Sequence, residues 1–149
     1  MTRALSHVGM AVSDLAASVK FYRLLGFEEG GPQHWRVSEP WLSALLALDE
    51  TVDMEVSYLA LAGSTLELLQ FHSPSGQPAR NLALNDVGIN HIAIAVDDVV
   101  AEHRRLTDAG VQFMGDPVSI PEGDLAGLIF AFALDPDGNR VEFTTAAPD

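Results

Sequence analysis

The chain has 149 residues, the size of one ordinary domain, and 48% of them are hydrophobic, enough for a packed core rather than a disordered segment. Eight Lys and Arg stand against 21 Asp and Glu, a formal net charge of −13, which repels phosphate backbones and anionic lipids and so argues against nucleic-acid and membrane partners. Cysteine is absent, which excludes disulfide scaffolds, thiolate metal sites and Cys nucleophiles.

The first element expected is a strand in Leu5-Ser-His-Val-Gly-Met-Ala-Val12. Val8, Met10 and Val12 alternate there with His7, Gly9 and Ala11. The bulky face suits packing under a helix. The other face sets a histidine beside very small residues, leaving the space a pocket wall needs. Asp14 is a natural N-cap, Leu15, Val19, Tyr22 and Leu25 form an apolar helical stripe, and Gly26 suits a left-handed helix end. A short strand is expected near 27–29. Patterning is weak over 33–51, where 40–48 reads as a short helix or a lid. Strands at 54–61 and 65–71 flank Ala62-Gly63-Ser64, a turn composition. The stretch 72–88, with Pro74, Gly76 and Pro78, reads as a linker.

The chain then repeats itself. Residues 5–17 lie on 89–101 without a gap, so that His7 falls on His91, Ala11 on Ala95, Val12 on Val96, Asp14 on Asp98 and, further on, Gly26 on Gly110. In the second copy Ile92, Ile94 and Val96 alternate with His91, Ala93 and Ala95, and Asp98 caps a helix whose stripe is Val99, His103, Leu106 and Ala109. Short strand 111–114 and a strand pair at 127–134 and 140–145, joined by Asp135-Pro-Asp-Gly-Asn139, complete it. The class is α+β: two βαβββ modules (4–71 and 89–146, linker 72–88) in one domain.

Each module ends on a strand with a central glutamate, Glu67 in Thr65-Leu-Glu-Leu-Leu-Gln-Phe71 and Glu142 in Arg140-Val-Glu-Phe-Thr144. Period-two counting sets Glu67 with Leu69 and Phe71, opposite Leu66 and Leu68, and Glu142 with Thr144, opposite Val141 and Phe143. A carboxylate flanked by apolar residues in mid-strand is costly to bury unless it meets a cation. A lone strand histidine is usually structural, and a lone strand glutamate usually faces water. One of each at matching places in two copies suits a divalent metal with positions open for substrate, held by His7, Glu67, His91 and Glu142. His34 reads as a loop residue, His72 as a strand end and His103 as a packed or solvated helix residue. No serine-nucleophile elbow, P-loop or dinucleotide fingerprint is present.

His7 in Ser-His-Val-Gly-Met-Ala-Val, Glu67 in Leu-Glu-Leu-Leu, His91 in Asn-His-Ile-Ala-Ile-Ala-Val and the ending Asp135-Pro-Asp-Gly-Asn-Arg-Val-Glu142 resemble the vicinal oxygen chelate superfamily. That group contains glyoxalase I, methylmalonyl-CoA epimerase, extradiol dioxygenases and bleomycin or fosfomycin resistance proteins. The resemblance spans nearly the whole chain and implies tandem βαβββ modules forming a curled mixed sheet around a central cavity, often in a homodimer. It implies a divalent metal (zinc, nickel, cobalt, manganese, magnesium or iron) on His7, Glu67, His91 and Glu142. Two histidines with two carboxylates are closest to glyoxalase I and the epimerase. The expectation is therefore a metal-dependent isomerase, epimerase or lyase that removes a proton next to a carbonyl of a small-molecule substrate, with Glu142 or Glu67 moving the proton. An iron-dependent extradiol-type dioxygenase and a non-catalytic antibiotic-binding resistance protein are the alternatives. Asn90-His91 departs from the two adjacent histidines usual in the epimerase, and Glu55 is a candidate for a separate base. Few basic residues are available for a CoA phosphate. No run approaches the roughly 18 apolar residues of a membrane span, and the amino-terminal residues do not resemble a signal peptide, so a cytoplasmic location is expected.

Overall fold

The structure is a computed structural model that describes residues 3–31, 34–77, 83–88 and 91–145. Gln33, Pro78, Ile89, Asn90 and Ala146, which fall in the segments expected above, lie outside the described residues. The chain divides into two compact units, Met1–Pro78 and Ala79–Asp149.

Unit 1 runs β1 (Val8–Ala11), α1 (Leu15–Leu24), β2 (Glu28–Glu29), β3 (Trp35–Val37), α2 (Pro40–Leu46), β4 (Asp53–Leu61) and β5 (Ser64–Ser73). Its sheet order is β1-β5-β4-β2, with β3 also paired to β4. Unit 2 repeats the plan with β6 (His91–Val96), α3 (Val99–Asp108), β7 (Gln112–Phe113), β8 (Val118–Ser119), β9 (Ile129–Leu134) and β10 (Arg140–Thr145). Its order is β6-β10-β9-β7, with β8 on β9. In both, the first and last long strands are parallel and the last two antiparallel. The expected βαβββ plan is present, with one extra short strand added to each sheet.

The helix ends follow the sequence chemistry. Asp14 Oδ1 accepts from the Ala17 amide at 2.9 Å and Asp98 Oδ1 from the Ala101 amide at 2.9 Å. Each satisfies one of the amides that a helix start leaves without an intrahelical partner. Gly26 and Gly110 take φ of 95° and 88°, the left-handed conformation in which a side chain is strained. Asp14→Ala should lower unfolding free energy by about 1 kcal/mol, read as a shift in urea midpoint with unchanged slope. No shift would mean that α1 is held by packing alone.

The helix α1 covers the side of sheet 1 that carries Met10, Leu66 and Leu68, and Tyr22 donates its hydroxyl to Met10 Sδ at 3.8 Å. Leu15, Tyr22 and Leu25 are buried as expected, but Ser18 and Phe21 join them while Val19 is only half-buried. The apolar stripe is thus centred further round the helix than the alternation of Leu15 and Val19 suggests. In α3, Val99 and Leu106 are fully buried, Ala109 is exposed, and His103 is half-buried against Phe113, with ring centroids 4.2 Å apart.

The ambiguous 40–48 stretch forms α2, which starts with Pro40 at its first turn and ends on Ala47 at φ 53°. It packs through Leu42 into a cluster with Val37, Val52, Met54 and Val56, against which Tyr58, Leu69 and Phe71 are partly buried. It therefore closes one end of the sheet face that carries Glu67, opposite to α1. The strand β5 runs through His72 to Ser73, two residues into the stretch read as linker, and Ser73-Pro74 is a cis peptide. Among the described residues, no helix is long and apolar enough to cross a membrane.

Candidate functional site

Glu67 is central in sheet 1, with Gly9 of β1 directly beside it on one side and Tyr58 of β4 on the other. Glu142 holds the same place in sheet 2, between Ala93 of β6 and Phe132 of β9. The turn before β10 is shaped by Asp135, whose Oδ1 accepts from the amides of Asp137 at 2.9 Å and Asn139 at 2.7 Å. That side-chain turn sets the register that brings Glu142 opposite Phe132.

Both histidines reach their own module's glutamate. His7 Nε2 is 3.2 Å from Glu67 Oε2, and His91 Nε2 is 3.4 Å from Glu142 Oε2. Side-chain exposures agree between the copies: 39% and 38% for the histidines, 16% and 15% for the glutamates. The duplication read in the sequence is thus a duplication of local chemistry, an accessible imidazole nitrogen over a mostly buried carboxylate.

Aromatic rings back both pairs. His7 meets Tyr58 edge-on at 6.0 Å between centroids, and His91 meets Phe132 edge-on at 5.6 Å. Tyr58 differs from Phe132 by a hydroxyl, and that hydroxyl donates a hydrogen bond to Glu67 Oε1. This bond, then burial, then the charge of Glu67 push the Tyr58 phenol up to about 12, so it stays a donor throughout the physiological range.

The donor types suit a metal, two imidazole nitrogens and two carboxylates being a set that divalent first-row cations accept. Among the described residues, no group of three or more His, Asp or Glu side chains is gathered as around one ion, so the expected set of His7, Glu67, His91 and Glu142 is seen only as its two His–Glu pairs.

The remaining candidates lie elsewhere. Glu55 pairs across the sheet with Gln70, whose side chain accepts from the Leu15 amide at the start of α1. It therefore faces the helix side, three residues and half a pleat away from Tyr58. There it sits 3.8 Å from His34 Nε2 and 3.6 Å from His72 Nε2. Nearby, Arg36 makes a two-point contact with Asp53 and holds that carboxyl below its usual range. His34 is exposed. Tyr58 was not anticipated from the sequence. Counting outward from the two-residue Ala62-Gly63 turn would have set it opposite Glu67.

Known proteins share this plan. The chain is 33% identical over 144 residues to a 2-epi-5-epi-valiolone epimerase from an Actinomyces species, covering 93% of this chain and 77% of that protein. It is 35% identical over 117 residues to an ethylmalonyl-CoA/methylmalonyl-CoA epimerase from Cereibacter sphaeroides, covering 77% of each. A solved glyoxalase family protein from Bacillus cereus superposes with a TM-score of 0.83 at 19% identity, covering 97% of this chain and 95% of that one, a likeness of fold. Residues 4–143 match the Glyoxalase/Bleomycin resistance protein/Dioxygenase superfamily, the same span that carries both βαβββ modules and both His–Glu pairs, and the chain belongs to that superfamily.

Proposed function

We infer that the chain is an epimerase-type enzyme that removes a proton from the carbon next to a carbonyl of a small-molecule substrate and returns it. In this reading His7, Glu67, His91 and Glu142 act as ligands for divalent metal. The observation that carries it is the repeated pair, imidazole nitrogen to carboxylate oxygen at 3.2 Å in one unit and 3.4 Å in the other. Both curated relatives being named epimerases supports the reaction class.

A bound divalent cation would supply the positive charge that stabilises the oxyanion left when the proton departs, an effect worth several kcal/mol. The chain's own groups do the rest. Glu142 or Glu67 accepts the proton from carbon as a general base, and a proton returned to the opposite face of that carbon inverts it, so no redox equivalent is consumed. The small side chains of Gly9, Ala11, Ala93 and Ala95 leave room on the histidine faces for substrate. His7 and His91 are well exposed and present Nε2. The net charge of −13 favours an uncharged oxygenated substrate over a CoA thioester with its phosphates. The active form in this reading is a cytoplasmic homodimer.

Purified protein assayed for metal, then incubated in deuterium oxide with cyclic polyhydroxy ketones, acyl-CoA thioesters and hemithioacetals, tests this. Exchange of one substrate C–H that needs the metal and consumes no oxygen is the expected result. Iron-dependent oxygen uptake with a catechol would assign a dioxygenase instead. Tight antibiotic binding without exchange would assign a binding protein.

A further inference from the structure

The surroundings of the two glutamates differ at both flanking strand positions, and the differences are linked. In sheet 1 the neighbours of the glutamate are Gly9 and Tyr58, and in sheet 2 they are Ala93 and Phe132. A methyl carbon added to Gly9 would stand 3.2 Å from Glu67 Oε2 and 3.6 Å from Leu69 Cδ1, tight enough that the carboxylate would have to give way. The equivalent residue in unit 2 already carries that carbon. Alanine is accommodated beside Glu142, where the phenyl ring of Phe132 offers no donor to fix the carboxylate. Beside Glu67, the Tyr58 hydroxyl ties Oε1 from the opposite side. The carboxylate is held between β4 and β1, with Oε2 turned towards His7.

We propose that Tyr58 is a positioning residue that, together with the space left by Gly9, fixes Glu67 with one oxygen committed to the phenol and the other aimed beside His7 Nε2. Glu67 is thereby a rigid, single-oxygen ligand. Glu142, between Ala93 and Phe132, keeps the freedom to move. The proposal rests on the metal reading above and adds a division of labour between two carboxylates that are otherwise alike in exposure and in distance to their histidines.

The test uses the full chain stripped of metal and titrated with cobalt(II), read by equilibrium dialysis and visible absorption. Tyr58→Phe should weaken cobalt affinity about 10–100-fold, the range for losing a group that orients a ligand, and change the absorption bands. Gly9→Ala should weaken it by about tenfold in the presence of Tyr58, and by clearly less in the Tyr58→Phe background, because the freed carboxylate can then move aside. In metal-free protein, Tyr58→Phe should shift the nitrogen resonances of the His7 ring and leave those of His91 in place. Wild-type affinity and spectrum in Tyr58→Phe, or independent losses in the double variant, would overturn the proposal while leaving the metal site standing. A His7 ring that does not respond would also overturn it. Failure of the wild-type chain to take up cobalt would overturn the metal reading and this proposal with it.

Discussion

For the proposed metal site, His91→Ala is expected to abolish metal binding, whereas His103→Ala is expected to retain it. Both are histidines of unit 2 in regular elements, so the contrast isolates the side chain's setting. His91 presents Nε2 3.4 Å from the Glu142 carboxylate on the small-residue face of β6, while His103 lies on α3 with its ring against Phe113. Removing a proposed ligand should cost more than the about 10–100-fold typical of losing a supporting residue. Elemental analysis of both variants after identical dialysis is sufficient, and equal metal content would remove His91 from the ligand set.

For the proposed reaction, Glu142→Gln is expected to leave metal binding largely in place and to slow solvent exchange by about 10²–10⁴-fold, the usual contribution of a positioned general base. The amide keeps the shape and one oxygen donor of the carboxylate but cannot accept the proton. Metal content and exchange therefore separate in this variant, whereas in His91→Ala they fall together. Exchange at the wild-type rate in Glu142→Gln would pass the role of base to Glu67. Loss of metal and exchange in parallel would reduce Glu142 to a ligand.

The parts of this molecule that could be read from its sequence are those fixed by short-range rules. Asp14 and Asp98 declare helix starts because a carboxylate two or three residues before a free amide caps it, and both do. Alternation sorted His7, Glu67, His91 and Glu142 onto the less crowded faces because strand side chains switch sides at every residue. The strands β3 and β8 escaped because three and two residues are too few to show a period. The helix α2 was ambiguous because only Leu42 of its residues is buried, so no apolar stripe marks it. Tyr58 was missed for a different reason. Its meaning lies in a neighbour nine positions along the chain, across a hairpin whose register depends on a two-residue turn at Ala62 and Gly63 with φ of 48° and 83°. Pattern within one strand carries no information about the strand beside it.

The sheet order has a kinetic consequence. The hairpin β4–β5 closes over a two-residue turn, but β1 can dock only on β5, and the chain from Val8 to its partner Leu66 must be drawn in first. The same holds for β6 and β10. Closing such long loops is an entropic cost met after local structure has formed, so the parallel pairings belong to the late steps of folding. The His7–Glu67 and His91–Glu142 contacts span these late-formed seams. A cation gripping both members of a pair would find its two ligands together only once these seams had closed, and so would favour the native protein over every species in which β1 or β6 is still undocked.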